Sequence, residues 1–314
     1  MPLRLVFCGT PAFALPAFRH LAAQPDFEIV SVITQPDRPR GRGGELASPV
    51  IKDAALESGI AVYQPERIKS DSARDFLQRV SPDVIVIIAY GQIIPAHLLG
   101  IPRLGWINLH ASLLPKYRGA APIQWAIVLG ETRTGVTTMR IDPGLDTGPI
   151  LLQREIDIGP DETAPQLSSR LAEAGAPLMA ETLRRLEKGD LSPVAQDSSQ
   201  ATLARPLKKG DGLIDWQLSA PLIYNRIRGL APWPGAFTTF RGSTCRIWGK
   251  PLHPAAPAGA PGSILSARED GLLVVCGGST VLRIEEIQPE GRKRVTDRQF
   301  INGARILPGE RFGV

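Results

Sequence analysis

Apolar and polar positions follow one rhythm along the first part of this chain and another after residue 206. Leu3–Cys8 is a continuous apolar run that stops at Gly9, Thr10 and Pro11. Such a run predicts a strand buried on both faces. Apolar residues then recur at helical spacing from Phe13 to Ala23. Further strands are predicted at Glu28–Thr34, Ala61–Tyr63, Asp83–Ala89 and Gly105–Leu109, with helices at Val50–Ser58 and Ser70–Val80. DVIVIIA, from Asp83, is the clearest buried strand. Residues 35–49, QPDRPRGRGGELASP, are rich in Pro, Gly and Arg and read as a loop. Strands alternating with helices predict βα units around a mostly parallel sheet, an α/β architecture.

Gly135–Asp142 is strand-like, and Ile150–Ile158 alternates as an antiparallel or edge strand does. Thr163–Glu187 carries a long amphipathic pattern; Pro165 suits its start and Gly189 its stop. Residues 190–206 are polar and without period, so they read as a linker. Beyond them come a helix at Pro221–Gly229 and short strands at Ala236–Phe240, Thr244–Trp248, Gly262–Ser266, Leu272–Cys276 and Val281–Gln288. Short strands separated by Gly- and Pro-rich turns predict a small β-barrel or sandwich. A length of 314 residues suits two domains, divided here as 1–189, a linker at 190–206, and 207–314.

Charge sharpens that division. The formal net charge is +5, yet residues 207–314 carry 15 Lys+Arg against 9 Asp+Glu, and residues 1–206 carry 21 against 22. The whole basic excess therefore sits in the last third, where an anionic partner is best accommodated. Three widely spaced cysteines, Cys8, Cys245 and Cys276, make neither a disulfide framework nor a zinc pattern. They predict a reduced, cytoplasmic setting. The N-terminal apolar run is read as a strand rather than a signal peptide, and no apolar stretch reaches the ~18–20 residues of a membrane span.

Candidate chemistry gathers in three stretches. Asn108 and His110 lie two apart at the end of a strand, so their side chains share a face. Asn offers a neutral donor to an oxygen gaining charge, and His titrates near neutrality. The second stretch, Asp142 to Pro149 (DPGLDTGP), also follows a strand and is expected at the sheet's carboxyl end. There Asp146 can orient His110, or Asp142 and Asp146 can simply form turns. The third, Ala89 to Ile94 (AYGQII), follows the strongest strand, and its backbone can pair with a flat heterocycle.

FCGTPAFALPAF, AYGQIIP, NLHASLLPKYRGAAPIQWAI and IDPGLDTGPIL resemble, in kind, order and spacing, the folate-dependent formyltransferase family. The resemblance implies a Rossmann-like domain followed by an oligonucleotide-binding (OB-fold-like) β-barrel, and a monomer. It implies transfer of the formyl group of 10-formyltetrahydrofolate to an amine, without a metal. Asn108, His110 and Asp146 fall on the family's catalytic triplet. Tyr90, Gly91, Gln92, Ile93, Ser112, Leu113, Leu114, Pro115, Asp142 and Gly144 fall on its folate-binding segments. Asn108 and His110 would donate to the charged oxygen formed when the amine attacks, and His110 would move the proton.

The resemblance implies the α-amino group of methionyl-initiator tRNA as acceptor, and two features suit a tRNA. Arg38, Arg40 and Arg42 stud the loop that the resemblance brings to the acceptor stem, where arginine contacts phosphates and base edges. The basic third, beginning with Lys208 and Lys209, would hold tRNA on a barrel. The alternative acceptor is a nucleotide-linked amino sugar, which has less use for either feature. A nicotinamide enzyme is disfavoured because Cys8-Gly9-Thr10-Pro11-Ala12-Phe13 lacks the G-x-G-x-x-G turn.

Overall fold

The computed structural model describes residues 1–40, 45–252, 259–268, 270–307 and 309–313. Arg42 lies outside the described residues. In chain order the elements are β1 (Leu3–Gly9), α1 (Leu15–Ala22), β2 (Phe27–Ile33), β3 (Arg38–Arg40), β4 (Glu45–Ala47), α2 (Val50–Glu57), β5 (Val62–Tyr63), α3 (Asp71–Val80), β6 (Val84–Ile88), α4 (Ala96–Leu99), β7 (Trp106–His110), β8 (Arg118–Gly119) and α5 (Pro122–Val128). They continue with β9 (Arg133–Arg140), β10 (Ile150–Asp157), α6 (Ala164–Lys188), β11 (Leu203–Ala204), α7 (Ala220–Gly229), β12 (Phe237–Phe240), β13 (Ser243–Leu252), β14 (Ile264–Arg268), β15 (Gly271–Cys276), β16 (Thr280–Pro289), β17 (Val295–Thr296) and α8 (Asp297–Ala304). No helix among the described residues is long and apolar enough to cross a membrane.

Met1–Pro122, Arg133–Asp157 and Leu167–Arg205 form one compact unit. Its sheet has the order β10-β9-β7-β6-β1-β2-β5. The five strands from β7 to β5 pair in parallel, whereas β9 runs antiparallel to β7 and β10 antiparallel to β9. All five residues of β6 are buried, as a strand covered on both faces requires. From β1 the chain first builds outward through β2 and β5, then returns to lay β6 and β7 on the other side. Such a reversal, beyond the carboxyl ends of β1 and β6, is the place where parallel α/β sheets take their ligands.

Two expectations need correction in this unit. Within residues 35–49, Arg38–Arg40 and Glu45–Ala47 pair as antiparallel strands, with Pro39 opposite Leu46. Backbone pairing at an isolated edge needs no apolar alternation and tolerates proline, so composition concealed it. Residues 190–206 are also more than a linker. Val194 bridges Ile150, and β11 pairs in parallel with β8. The Arg118 N–H donates to the Thr202 carbonyl at 2.9 Å, and the Ala121 N–H to that of Ala204 at 3.2 Å. The segment's order comes from backbone groups of a distant loop, and nothing in its own periodicity reports them.

α6 is anchored at its far end, where Arg184 Nε donates to Asp26 Oδ2 at 2.5 Å and the guanidinium lies 5.2 Å from the Phe27 ring. The Arg184 hydrogen bond holds the Asp26 carboxyl below its ordinary range. A depressed carboxylate stabilises the fold above its unfolded pKa, and loses that contribution as pH falls through the folded value. Both groups are partly solvated, which limits the pair to ~0–1 kcal/mol. Asp26→Asn is therefore expected to lower Tm slightly at pH 7. The deficit should close as pH falls below the folded-state value of Asp26; a deficit that persists there would assign the effect to shape rather than charge.

Ile123–Thr132, Ile158–Gln166 and Pro206–Val314 form the second unit. Trp125 belongs to this unit and is partly exposed. The unit's antiparallel sheet has the order β12-β13-β16-β15-β14, with β17 against β16. The C-terminal segment bridges both edges, since Phe312 pairs with Phe240 of β12 and Arg311 with Ser263 beside β14. Trp216, Ile223, Phe240, Phe300 and Phe312 lie in its core. α8 was not read from the sequence. Its signal is the capping box, in which Thr296 Oγ1 accepts from the Gln299 N–H and Gln299 Oε1 from the Thr296 N–H.

Candidate active site

β7 carries the first two candidate residues. In the sheet Asn108 lies beside Ile87 of β6 and Met139 of β9, while His110 lies opposite Thr137. Asn108 is half-buried, and its side chain has no hydrogen-bond partner among the described residues. A side-chain amide left open on a central strand can serve a ligand. His110 is 6% exposed, and its Nε2 lies 2.8 Å from the Tyr117 carbonyl oxygen. A carbonyl only accepts, so Nε2 carries the proton. In the neutral ring Nδ1 is then a free acceptor, and it lies 3.7 Å from Asp146 Oδ2. Two acceptors do not bond to each other. A proton placed on Nδ1 would make the same pair an ion pair.

Asp146 arrives by an unforeseen route. Its loop follows a strand and was expected at the sheet's carboxyl end. β9 runs antiparallel instead, and ends at Arg140, opposite Ile107. The loop must double back to reach His110. Its closure brings the Arg140 N–H onto the Pro149 carbonyl at 3.0 Å. A Cβ on Gly148 would lie 1.8 Å from the Arg140 carbonyl oxygen, so only glycine permits this return. Asp142 behaves as a turn former: its carboxylate accepts from the Gly144 N–H at 3.0 Å and from Thr147 Oγ1 at 2.7 Å. Asp146 itself has φ +52°, a left-handed backbone that costs a non-glycine residue about 1 kcal/mol. The Gly119 N–H donates to Asp146 Oδ2 at 2.8 Å.

The remaining candidate residues are held largely through their backbones. Thr137 Oγ1 donates to the Ser112 carbonyl at 2.6 Å and accepts from the Leu114 N–H at 3.2 Å. Gln153 Nε2 donates to the Leu114 carbonyl at 2.9 Å. The Ser112 hydroxyl is spent on the Lys116 carbonyl, 2.6 Å away. Ser112 and Leu114 are buried, so Leu113 and Pro115 alone present side-chain surface. In the turn after β6, Tyr90 points into the core at 2% exposure, its hydroxyl without a partner and its phenol pushed up by burial. Its carbonyl accepts from Gln35 Nε2 at 3.0 Å. Gln92 binds back to the protein, with Oε1 accepting from the Ile68 N–H at 2.8 Å. Gly91 has φ +88°, and Ile93 is 84% exposed.

These segments offer backbone together with apolar groups that are at least partly exposed, Ile93, Leu113, Pro115 and Leu145. No group of three or more His, Cys, Asp or Glu side chains able to hold a metal ion occurs among the described residues. The cysteines are buried; burial pushes the Cys276 thiol up to about 12, which leaves it protonated and unreactive at neutral pH.

A family model described as formyl transferase matches residues 4–183, and one described as formyl transferase, C-terminal domain, matches residues 206–305. The chain belongs to the formyl transferase family. A methionyl-tRNA formyltransferase of Solibacter usitatus is 53% identical over 311 residues, covering 99% of both chains. One of Geobacter metallireducens is 48% identical with the same coverage. Among solved structures, the sugar 3N-formyl transferase WlaRD superposes with a TM-score of 0.69 at 18% identity, over 93% of this chain and 100% of its own. An N-formyltransferase of Helicobacter canadensis gives 0.65 at 17% identity, over 90% and 99%. At such identities these two structures speak for the fold alone.

Within this formyl transferase three of the candidate tRNA contacts lie on the surface. Arg38 is exposed on β3, and Lys208 and Lys209 are exposed before α7. Several other cations of the basic third are spent internally. Arg228 is buried and donates to the Gly159 and Glu162 carbonyls at 3.1 and 2.9 Å. Arg241 pairs with Glu310, Lys250 with Asp161, and Arg294 with Glu286. Arg294 also lies over the Trp248 ring at 3.7 Å. Net charge therefore overstates the cations available to a partner. Trp216 is a core residue, whereas Trp233 is 54% exposed.

Sequence reasoning missed three participants: the Tyr117 carbonyl, the Gly119 N–H and Gln196. Backbone groups leave no residue-type signal, and Gln196 sits in the aperiodic stretch read as a linker.

Proposed function

We propose that this chain transfers the formyl group of 10-formyltetrahydrofolate to the α-amino group of methionyl-initiator tRNA, giving N-formylmethionyl-tRNA. The observation that carries the chemistry is the meeting of Asn108, His110 and Asp146. An open amide and an imidazole with one nitrogen tied and the other free stand together on β7, and a carboxylate lies 3.7 Å from that free nitrogen. Relatives named for methionyl-tRNA along their full length support the acceptor.

Bound at the turns around Tyr90–Ile93, Ser112–Pro115 and Asp142–Gly144, the folate supplies an activated formyl carbon. Asn108 donates an amide N–H to the oxygen that gains charge, a contribution of ~10²–10³ in rate for a donor of this kind. His110 takes the amine's proton at Nδ1, the only ring nitrogen left open. Asp146 then faces a charged ring. Tyr117 holds Nε2–H throughout, so the proton enters and leaves at Nδ1, and it passes to the folate N10 as the bond from N10 to the formyl carbon breaks.

The second unit, read as an OB-type barrel and a tRNA-holding domain over 207–314, contributes phosphate contacts from cations such as Lys208 and Lys209. Arg38, Arg40 and Arg42 reach the acceptor stem. Changing all three to alanine should lower kcat/KM for tRNA by about tenfold or more, at ~1 kcal/mol or better per lost arginine contact, and flatten its salt dependence by ~0.7–0.9 per lost phosphate contact. Folate affinity should be unchanged. An unaltered kcat/KM for tRNA would remove the arginines from the interface. For the reading as a whole, purified protein is given 10-formyltetrahydrofolate with either charged initiator tRNA or a nucleotide-linked amino sugar. Formylation of the sugar and not of methionyl-tRNA would overturn it.

A further inference from the structure

Asp146 is held in a left-handed backbone opposite His110, and the closure of its loop on β9 is one tie that keeps it there. A second comes from elsewhere in the same unit. Gln196 Nε2 donates to the Asp146 carbonyl at 2.9 Å and to the Gly148 carbonyl at 2.7 Å. Its Oε1 accepts from Arg118 Nε at 3.0 Å and Arg118 Nη2 at 2.8 Å. A glutamine side chain has two N–H donors and one carbonyl oxygen with two lone pairs. All four are used, two on each side. Arg118 is buried at 7% exposure, on the strand that follows the His110–Tyr117 loop, and the residue after it provides the N–H bound to the Asp146 carboxylate.

We propose that Gln196, anchored by Arg118, is a positioning residue that sets Asp146 against His110, so that residues 190–206 are part of the active site. Two elements of the reaction centre are thereby fixed to one side chain. The β7–β8 loop is reached through Arg118, and the Asp146 loop through its carbonyls. Donation to the carbonyls on either side of Thr147 stabilises the turn in which Asp146 takes its left-handed conformation, a strained backbone over-determined by its surroundings. An acid at position 196 would keep the arginine and lose the loop. Glutamate still accepts from the Arg118 fork, now as a charge-assisted pair, but it has no hydrogen to give to either carbonyl.

The inference rests on the reading of Asn108, His110 and Asp146 as the site of formyl transfer. Gln196→Glu separates holding the segment in place from holding Asp146 in place. The test compares native protein, Gln196→Glu, Asp146→Asn and the double variant, by kcat and KM for methionyl-tRNA with 10-formyltetrahydrofolate, below every variant's melting temperature. Gln196→Glu is expected to lower kcat by about tenfold or more, as misplacement of a catalytic group does, with both KM values within about twofold. Its Tm should stay within ~2 °C of native. In the Asp146→Asn background the same change should cost less than about twofold, because the two act as one unit. A Gln196→Glu enzyme with native kcat, or an equal loss with and without the Asp146 carboxylate, would overturn the proposal. Native protein that fails to formylate methionyl-tRNA would instead defeat the functional reading and leave this comparison without a reaction to follow.

Discussion

Replacing His110 by alanine is expected to lower kcat by about 10²–10⁴, the range of general acid–base help from a positioned side chain. KM for folate should change little, because the candidate folate segments meet their ligand through backbone and apolar groups rather than through the imidazole. The side chain is buried, and its Nε2–H satisfies the Tyr117 carbonyl at 2.8 Å. Alanine would therefore also leave a small void and an unsatisfied acceptor, at ~1–3 kcal/mol of stability. His110→Gln resolves the ambiguity. Its amide can donate to Tyr117 in place of Nε2–H, yet neither amide atom takes up a proton at neutral pH. A glutamine enzyme with native Tm and a rate as low as that of alanine would fix the role as proton transfer. Single-turnover rates on methionyl-tRNA near those of the native enzyme would remove His110 from the chemistry.

The second large effect is expected at a residue with no reactive group. Gly148→Ala places a Cβ 1.8 Å from the Arg140 carbonyl oxygen and 2.9 Å from its carbonyl carbon. Both atoms belong to backbone at the end of β9, so no side chain can rotate out of the way. The loop must lift, the closure between the Arg140 N–H and the Pro149 carbonyl must open, and Asp146 must leave its position. A shift of ~1 Å in a catalytic group costs on the order of 10²-fold. Strain of this kind costs about 1–3 kcal/mol, which a two-unit chain can survive folded. Gly144→Ala is the control. There the added Cβ would meet the Thr147 hydroxyl at 1.9 Å, a side-chain atom that can turn away at the expense of its bond to Asp142. Measured by kcat and Tm, Gly148→Ala should exceed Gly144→Ala in both. Equal losses would mean that the turn, and not the return to β9, governs the position of Asp146.

Much of the sheet was legible because its chemistry is repetitive. β1 and β6 are almost wholly apolar, as burial on both faces of a central strand favours, and β2 and β7 are apolar at most positions. α3 and α6 were legible through amphipathic spacing and their boundaries, such as the Ser70 cap on the Ala73 N–H at 3.3 Å. The pairing of β3 with β4, and of β11 with β8, was not. Two- and three-residue strands are held by backbone bonds to distant partners and carry no period. The supply of cations was misjudged for a related reason. Arg228 and Arg241 look, as letters, like any surface arginine, and only tertiary placement spends them on carbonyls and Glu310.

By itself, the sequence determined which residues are chemically competent and where each would sit on its own element. Asn108 and His110 share a face because a strand has a period of two, and that relation is local. The partnership of His110 with Asp146 is not local. It depends on β9 running antiparallel to β7, on a loop that doubles back over a glycine, and on Gln196 reaching in from a stretch without pattern. Residue type and spacing are written along the chain, whereas strand direction and loop return are settled by which buried backbone groups find partners when the sheet closes. The tautomer of His110 was likewise decided only there, by one carbonyl oxygen 2.8 Å from its ring.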